Sequence, residues 1–185
     1  MPPTDPASAF VGLGSNLQDP STQLRAAIGL LAALPQTSVE RCSGLYRSAP
    51  IGNPDQPDFV NAACLLRTCL GPHALMQHLL ALETAQGRVR TQPGGPRVLD
   101  LDLLLYAGAD GIQQVISSPG LELPHPRLHG RAFVLYPLHE IAPGLEIRGR
   151  GPVSALLADC QGQIIERLAD TAAGTEKAGT SRSDQ

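Results

Sequence analysis
The sequence predicts an α+β sandwich: an antiparallel sheet with helices packed mainly on one face and a ligand site on the other. Three observations carry this. Through Tyr106 the elements run strand, helix, two strands, helix, strand. Strand candidates are short apolar runs closed by Gly or Pro, whereas helix candidates repeat their apolar residues at three- and four-residue steps. At 185 residues and 42% hydrophobic content the chain can bury one core, and its length is that of one domain.

The first strand is Ala9-Phe10-Val11-Gly12-Leu13, running into Gly14-Ser15-Asn16. That turn is no dinucleotide fingerprint, since the third glycine would fall at Leu17, and no phosphate loop, since Gly-Lys-Ser/Thr is absent. It is open whether it serves packing or a ligand. Pro20 opens a helix with Leu24, Ala27, Ile28, Leu31 and Leu34 on one face, and Pro35 ends it. Residues 37–46 read as a second strand, and residues 46–57 as a proline-rich loop of the length that often carries function.

Residues 58–68 form a third strand, interrupted by Asn61. A buried Asn must satisfy a carbonyl and two N–H donors, which suits either neighbouring backbone or the edge of a heterocycle. Gly71-Pro72 starts a second helix with Leu75, Leu79 and Leu82 inward and Glu83 near its end, and Gly87 stops it. The next loop holds Arg88, Arg90 and Arg97 among glycines and prolines. It reads either as a solvated basic loop or as a mobile phosphate clamp.

The strand at residues 98–105 carries the chemistry. It is apolar except for Asp100 and Asp102. Period two puts these carboxylates on one face and Leu99, Leu101 and Leu103 on the other. Two like charges on a half-buried face need a cation between them. Either Arg97 at a solvated strand end or a divalent metal supplies it. The apolar run around the pair favours the metal, because hard cations take carboxylate oxygens and leave room for phosphate.

Downstream, Val115-Ile116 can pair back as a short strand. His125 lies between Pro124 and Pro126, so His125 and His129 make no helical zinc pair. Residues 131–141 read as a third helix and residues 153–158 as a short fourth. The domain is expected over residues 9–168, with a flexible N-terminus over 1–8 and a disordered tail over 169–185. This order of elements is that of the ferredoxin-like sandwich.

The net charge of −3 argues against a nucleic-acid binder that works by broad electrostatics. Four cysteines without C-x-x-C or zinc spacing read as reduced core thiols. With no signal peptide and no membrane span in the sequence, a soluble intracellular protein is expected.

Five segments together resemble the 6-hydroxymethyl-7,8-dihydropterin pyrophosphokinase family. They are Gly12-Leu13-Gly14-Ser15-Asn16; Tyr46-Arg47-Ser48-Ala49-Pro50 with residues 55–62; Gln86-Gly87-Arg88-Val89-Arg90; residues 95–102; and Pro124-His125-Pro126 with Arg131-Ala132-Phe133. The resemblance implies transfer of pyrophosphate from ATP to the pterin's hydroxymethyl oxygen. It implies that Asp100 and Asp102 hold two Mg²⁺ ions and that Arg88 and Arg97 bind phosphates and stabilise the transition state. It places Glu83, Arg90, Leu103, His125 and Arg131 beside ATP. Phe59 and Phe133 would sandwich the pterin, Asn61 would read its edge, and Ser48, Ala49, Ile51 and Asp100 would complete its pocket. ATP and the pterin are the implied partners, with no nucleic acid and no membrane, and a cytoplasmic monomer is expected.

The chain departs from the family pattern in having Gly94 near the place of a loop Trp, Phe59 for Tyr, Glu122 for a small hydroxyl residue and Pro126 after His125. Two rivals differ in class. In a nucleotidyltransferase Gly-Ser lies about a dozen residues before Asp-x-Asp; here Gly14-Ser15 lies far upstream of Asp100. A non-catalytic ferredoxin-like module that binds a small ligand would need neither a metal pair nor an arginine loop.

Overall fold
The computed structural model describes residues 5–52, 54–88 and 95–169. The elements are β1 (Ala7–Ser15), α1 (Pro20–Ala32), β2 (Thr37–Cys42), β3 (Tyr46–Ser48), β4 (Phe59–Thr68), α2 (Pro72–Ala85), β5 (Asp100–Ala107), β6 (Ile116–Ser118), β7 (Leu121–Leu123), α3 (Ala132–Ile141), β8 (Glu146–Ile147), β9 (Gly151–Pro152), α4 (Val153–Ala158) and β10 (Ile165–Arg167). The main sheet runs β10-β3-β4-β1-β5 with β2 also on β4, and among the described residues its strands all pair antiparallel. This is the expected ferredoxin-like order.

Local chemistry sets the helices. Asp19 caps α1: its carboxylate accepts from Thr22 N–H at 3.4 Å and Thr22 Oγ1 at 2.7 Å, and Pro20 follows at the first turn. Leu24, Ala27 and Leu31 are fully buried by α1. Along α2 the buried stripe is Leu75, Leu79, Glu83. These lie at four-residue steps, so the helix that buries two leucines also drives a carboxylate under the sheet.

One face of the sheet presents Ala9, Val11 and Leu13 of β1, Ala62, Cys64 and Leu66 of β4, and Leu101 and Leu103 of β5 to α1 and α2. Fully burying one such leucine contributes about 1.5–3 kcal/mol. The other face is divided. Phe10, Ala63, Leu65, Leu104 and Leu105 pack under α3 and α4, with Val134, Leu135, Leu138 and Val153. Beyond them that face is open, and the site lies there.

Four expectations need correction. Residues 37–46 are not one strand: β2 and β3 lie end to end along β4, and β3 takes the first residues assigned to the loop. The break at 43–45 has its own bonds. Ser43 N–H donates to Ala63 O at 2.9 Å, and Gly44 N–H donates to Glu140 at 3.1 Å. A Cβ on Gly44 would stand 2.7 Å from Arg167 Nη2, so a larger residue there would make the Arg167 side chain shift. Second, Ile116 begins β6, which pairs with β7, while Val115 is exposed. Third, β10 adds a strand on β3 that sequence alone did not suggest. Last, β1 starts at Ala7 rather than Ala9.

All four cysteines are free, and Cys42 and Cys64 meet across β2 and β4 with their sulfurs 2.6 Å apart. Among the described residues no helix is long and apolar enough to cross a membrane.

Candidate active site
Strand register builds the site. Gly12 lies opposite Asp102 and Gly14 opposite Asp100 on β5, while Gly14 also faces Asn61 on β4. Two glycines in alternate positions leave the sheet bare between the carboxylates and the amide. A Cβ on Gly14 would come within 3.5 Å of Asn61 Oδ1 and 3.9 Å of Asp100 Cβ. The cavity over this floor has a volume of about 430 Å³. Asp100 and Asp102 do share its face, and Leu99, Leu101 and Leu103 lie in the core behind them.

Asp100 is held by two arginines: Arg88 Nη1 donates to its Oδ1, and Arg97 Nη1 to its Oδ2 at 2.7 Å. Arg88 also pairs with Glu83. The Glu83 carboxylate is 2% exposed and accepts the Leu101 N–H at 2.7 Å. Glu83 therefore joins α2, Arg88 and the strand of the aspartates. Asn16 does the same for the loop before β5. Its Oδ1 accepts Arg97 N–H at 2.9 Å, its own N–H donates to Arg97 O at 3.1 Å, and its Nδ2 reaches Gln56 Oε1 and Pro57 O at 3.2 Å. The Gly-Ser-Asn turn thus anchors two loops of the site.

Asp102 accepts no hydrogen bond from a described residue. Burial and then the charge of Asp100 push its carboxyl up to about 6. A divalent cation would relieve both effects. Among the described residues no group of three His, Cys, Asp or Glu side chains forms a metal site. Two carboxylates open to a cavity, with the remaining oxygens left to water or phosphate, match the way Mg²⁺ is bound. The donor set fits that ion.

On the far side of the glycine floor, Ser48, Ala49, Ile51, Phe59, Asn61 and Phe133 line the cavity together. Asn61 uses both amide hydrogens inward, to Tyr46 O at 3.3 Å and Ser48 Oγ at 2.9 Å. No described donor reaches its Oδ1, which is left for a ligand. The Phe59 ring carries Arg97 Cζ at 5.5 Å from its centroid, and the Phe133 ring carries Arg131 Cζ at 5.5 Å. Each aromatic wall is thus backed by a cation.

Leu103 and His125 line an adjoining cavity of about 320 Å³ that shares Asp102 and Met76 with the first. Arg90 lies outside the described residues. Arg127 N–H donates to His125 Nδ1 at 3.3 Å, so neutral His125 carries its proton on Nε2. Burial, then Arg131 and Arg127, hold its pKa down to about 4 from 6.5. A depressed folded pKa favours the neutral ring, and the resulting stability is present above 6.5 and lost as pH falls toward 4. Thermal melts should therefore show a smaller acid loss over that range for His125→Gln than for the wild type.

The structure thus collects Glu83, Arg88, Arg97, Asp100, Asp102, Arg131, Ser48, Ala49, Ile51, Phe59, Asn61 and Phe133 around one cavity. The roles of Gly12, Gly14 and Asn16 were missed. Period two would have put both glycines on one face, but only strand pairing shows that it is the aspartate face.

The family described as 7,8-dihydro-6-hydroxymethylpterin-pyrophosphokinase (HPPK) matches residues 10–143. A 2-amino-4-hydroxy-6-hydroxymethyldihydropteridine pyrophosphokinase of Pseudomonas aeruginosa is 45% identical over 159 residues, 86% of this chain and 95% of that protein. One of Methylorubrum extorquens is 45% identical over 160 residues, covering 86% and 98%. In fold the chain is similar to Plasmodium falciparum HPPK-DHPS, with a TM-score of 0.64 at 11% identity. That likeness covers 88% of this chain and 48% of the other, so the chain spans about half of that structure.

Proposed function
The chain belongs to the 7,8-dihydro-6-hydroxymethylpterin-pyrophosphokinase family, and from that membership we propose how its cavity carries out the reaction. The enzyme transfers pyrophosphate from ATP to the hydroxymethyl oxygen of 6-hydroxymethyl-7,8-dihydropterin in folate biosynthesis. A bond forms from that oxygen to the β-phosphorus as its proton passes to water, the bond from the β-phosphorus to the α,β-bridging oxygen breaks, and AMP leaves.

The observation that carries the residue assignments is the single cavity with two carboxylates, their arginines and an unused amide acceptor on one sheet face. Phosphoryl transfer needs positioning and charge stabilisation more than covalent help. In this reading Asp100 and Asp102 hold two Mg²⁺ ions, which when bound neutralise charge on the attacking and leaving oxygens. Arg88 and Arg97 bind the transferred phosphates. Phe59 and Phe133 hold the flat pterin between them, and Asn61 Oδ1 accepts from its N–H edge. Leu103, His125 and Arg131 face the nucleotide, and the family pattern gives Arg90, which lies outside the described residues, the same role. Glu83 acts from beneath, positioning Arg88 and Leu101 N–H. The same reading takes the enzyme as a cytoplasmic monomer. A binding module without catalysis would have no use for the paired carboxylates, and the family membership disfavours it.

A coupled assay for AMP with ATP, Mg²⁺ and the hydroxymethyl pterin tests the whole reading, and no AMP would refute it. Asn61→Ala separates the pterin pocket from the phosphate site. Calorimetry should show pterin binding weakened about 10-fold, the cost of one lost hydrogen bond in a desolvated site, with ATP affinity unchanged. An unaltered pterin dissociation constant would remove Asn61 from the assignment.

A further inference from the structure
Arg127 lines the main cavity and has no part in the assignments above. The turn that carries it is fixed. His125 N–H donates to Leu104 O at 2.8 Å, which ties the turn to the strand of the aspartates. Leu128 N–H donates to His125 O at 3.2 Å, Arg131 N–H to Leu128 O at 3.4 Å, and the Leu128 side chain is buried. His125, Arg127 and Arg131 therefore leave one pinned segment for the two adjoining cavities.

The cations of this cavity differ in how they are already engaged. Arg88 is divided between Glu83 and Asp100, and Arg97 is bound to Asp100. Arg131 lies over the Phe133 ring. The Arg127 guanidinium has no carboxylate, carbonyl or ring partner among the described residues, and the residue is exposed. Its charge reaches the site even so. Both His125 and Arg131 are held below their ordinary pKa values, by burial first and with Arg127 among the further causes. A free guanidinium on a fixed turn, facing a cavity that receives a polyanion, has the geometry for a bidentate phosphate contact.

We infer that Arg127 is a further nucleotide-binding residue, engaging the phosphate chain of ATP with a guanidinium that no described residue holds. The inference rests on the proposed reading of this cavity as an ATP site. Because Arg88 and Arg97 stay bound to carboxylates, Arg127 adds positive charge that no described carboxylate neutralises. It should therefore act on nucleotide affinity and its salt dependence more than on the pterin.

The test compares Arg127→Ala and Arg127→Lys with Arg150→Ala, which removes the same charge from an exposed position that lines neither cavity. Calorimetry with Mg²⁺ and a non-hydrolysable methylene analogue of ATP gives the nucleotide affinity, and a parallel titration gives that of the pterin. Arg127→Ala should weaken the analogue about 10-fold or more, the worth of one charge-assisted contact, and lessen the salt dependence. Arg127→Lys should lose less, and pterin affinity should stay within about twofold. An Arg127→Ala protein that binds the analogue within about twofold of wild type overturns the inference. So does an equal loss in Arg150→Ala, which would reveal a general field effect. If the wild type binds no analogue and forms no AMP, the ATP-site reading itself fails, an outcome distinct from either.

Discussion

Asp102→Asn is expected to stop AMP formation, by a factor on the order of 10³ or more, and at the same time to raise the melting temperature of the ligand-free protein. Both results come from one arrangement. Asp102 is half-buried beside Asp100, takes no hydrogen bond from a described residue, and has its carboxyl pushed up from 3.8 to about 6 by desolvation and then by Asp100. A folded pKa raised above the unfolded value gives stability that is whole below 3.8 and lost as pH rises through 6. Near pH 7 the unliganded fold therefore carries a charge that it would be more stable without. Asparagine keeps the shape and removes the charge. The gain should be on the order of 1 kcal/mol, or ~2–4 °C for a chain of this size. Melts in EDTA should show the gap between variant and wild type closing as pH falls toward 4. Adding Mg²⁺ with the ATP analogue should reverse the ranking, because only the wild type keeps both carboxylates. Normal AMP production, or a variant that melts lower at pH 7, would remove Asp102 from the metal site.

That tension between stability and chemistry was legible in the sequence because it is local. Two aspartates at period two inside an apolar strand must share a face, whatever else the chain does. The helices were legible for similar reasons: Pro20 and Pro72 open α1 and α2, and their leucine spacing shows the inward face. What was not legible depends on residues far apart in the chain. The break between β2 and β3 rests on Ala63 and Glu140, whose carbonyl and carboxylate hold residues 43 and 44 by hydrogen bonds. β10 is three residues whose partners lie over a hundred positions upstream, and its mixed, partly exposed pattern gives no strand signal of its own. The covering of half the ligand face by α3 and α4 is of the same kind. The near-continuous apolar run in α3 shows that it is buried, but not against which side of the sheet. In the site, Glu83 takes the buried place after Leu75 and Leu79 where the leucine spacing put Leu82, and the anchoring of Arg97 by Asn16 spans 81 positions; both had to be seen.

Arg97→Ala should slow the chemical step about 10²–10³-fold, the usual cost of removing one aimed donor from a transferring phosphoryl group, while changing pterin affinity by less than about threefold. The main chain of Arg97 is fixed on both sides by Asn16, through bonds that alanine retains. The loss is thus confined to the guanidinium. That group spends Nη1 on Asp100, while its Nε is buried and has no hydrogen-bond partner among the described residues. A buried unsatisfied donor costs about 1–3 kcal/mol. One that lies in a cavity floored by carboxylates and built for a polyanion is explained if phosphate oxygens complete it. The guanidinium also lies against Phe59, so some effect on the pterin wall is expected, but packing over a ring is worth less than a charge-assisted bond to the reacting group. Lysine should recover little, since one ammonium cannot hold Asp100 and a phosphate in the same forked geometry. Pulse-quench measurement separates chemistry from product release. If the quench shows the wild-type rate of pyrophosphoryl transfer, Arg97 serves only to hold Asp100, and the free Nε must be assigned to some other ligand.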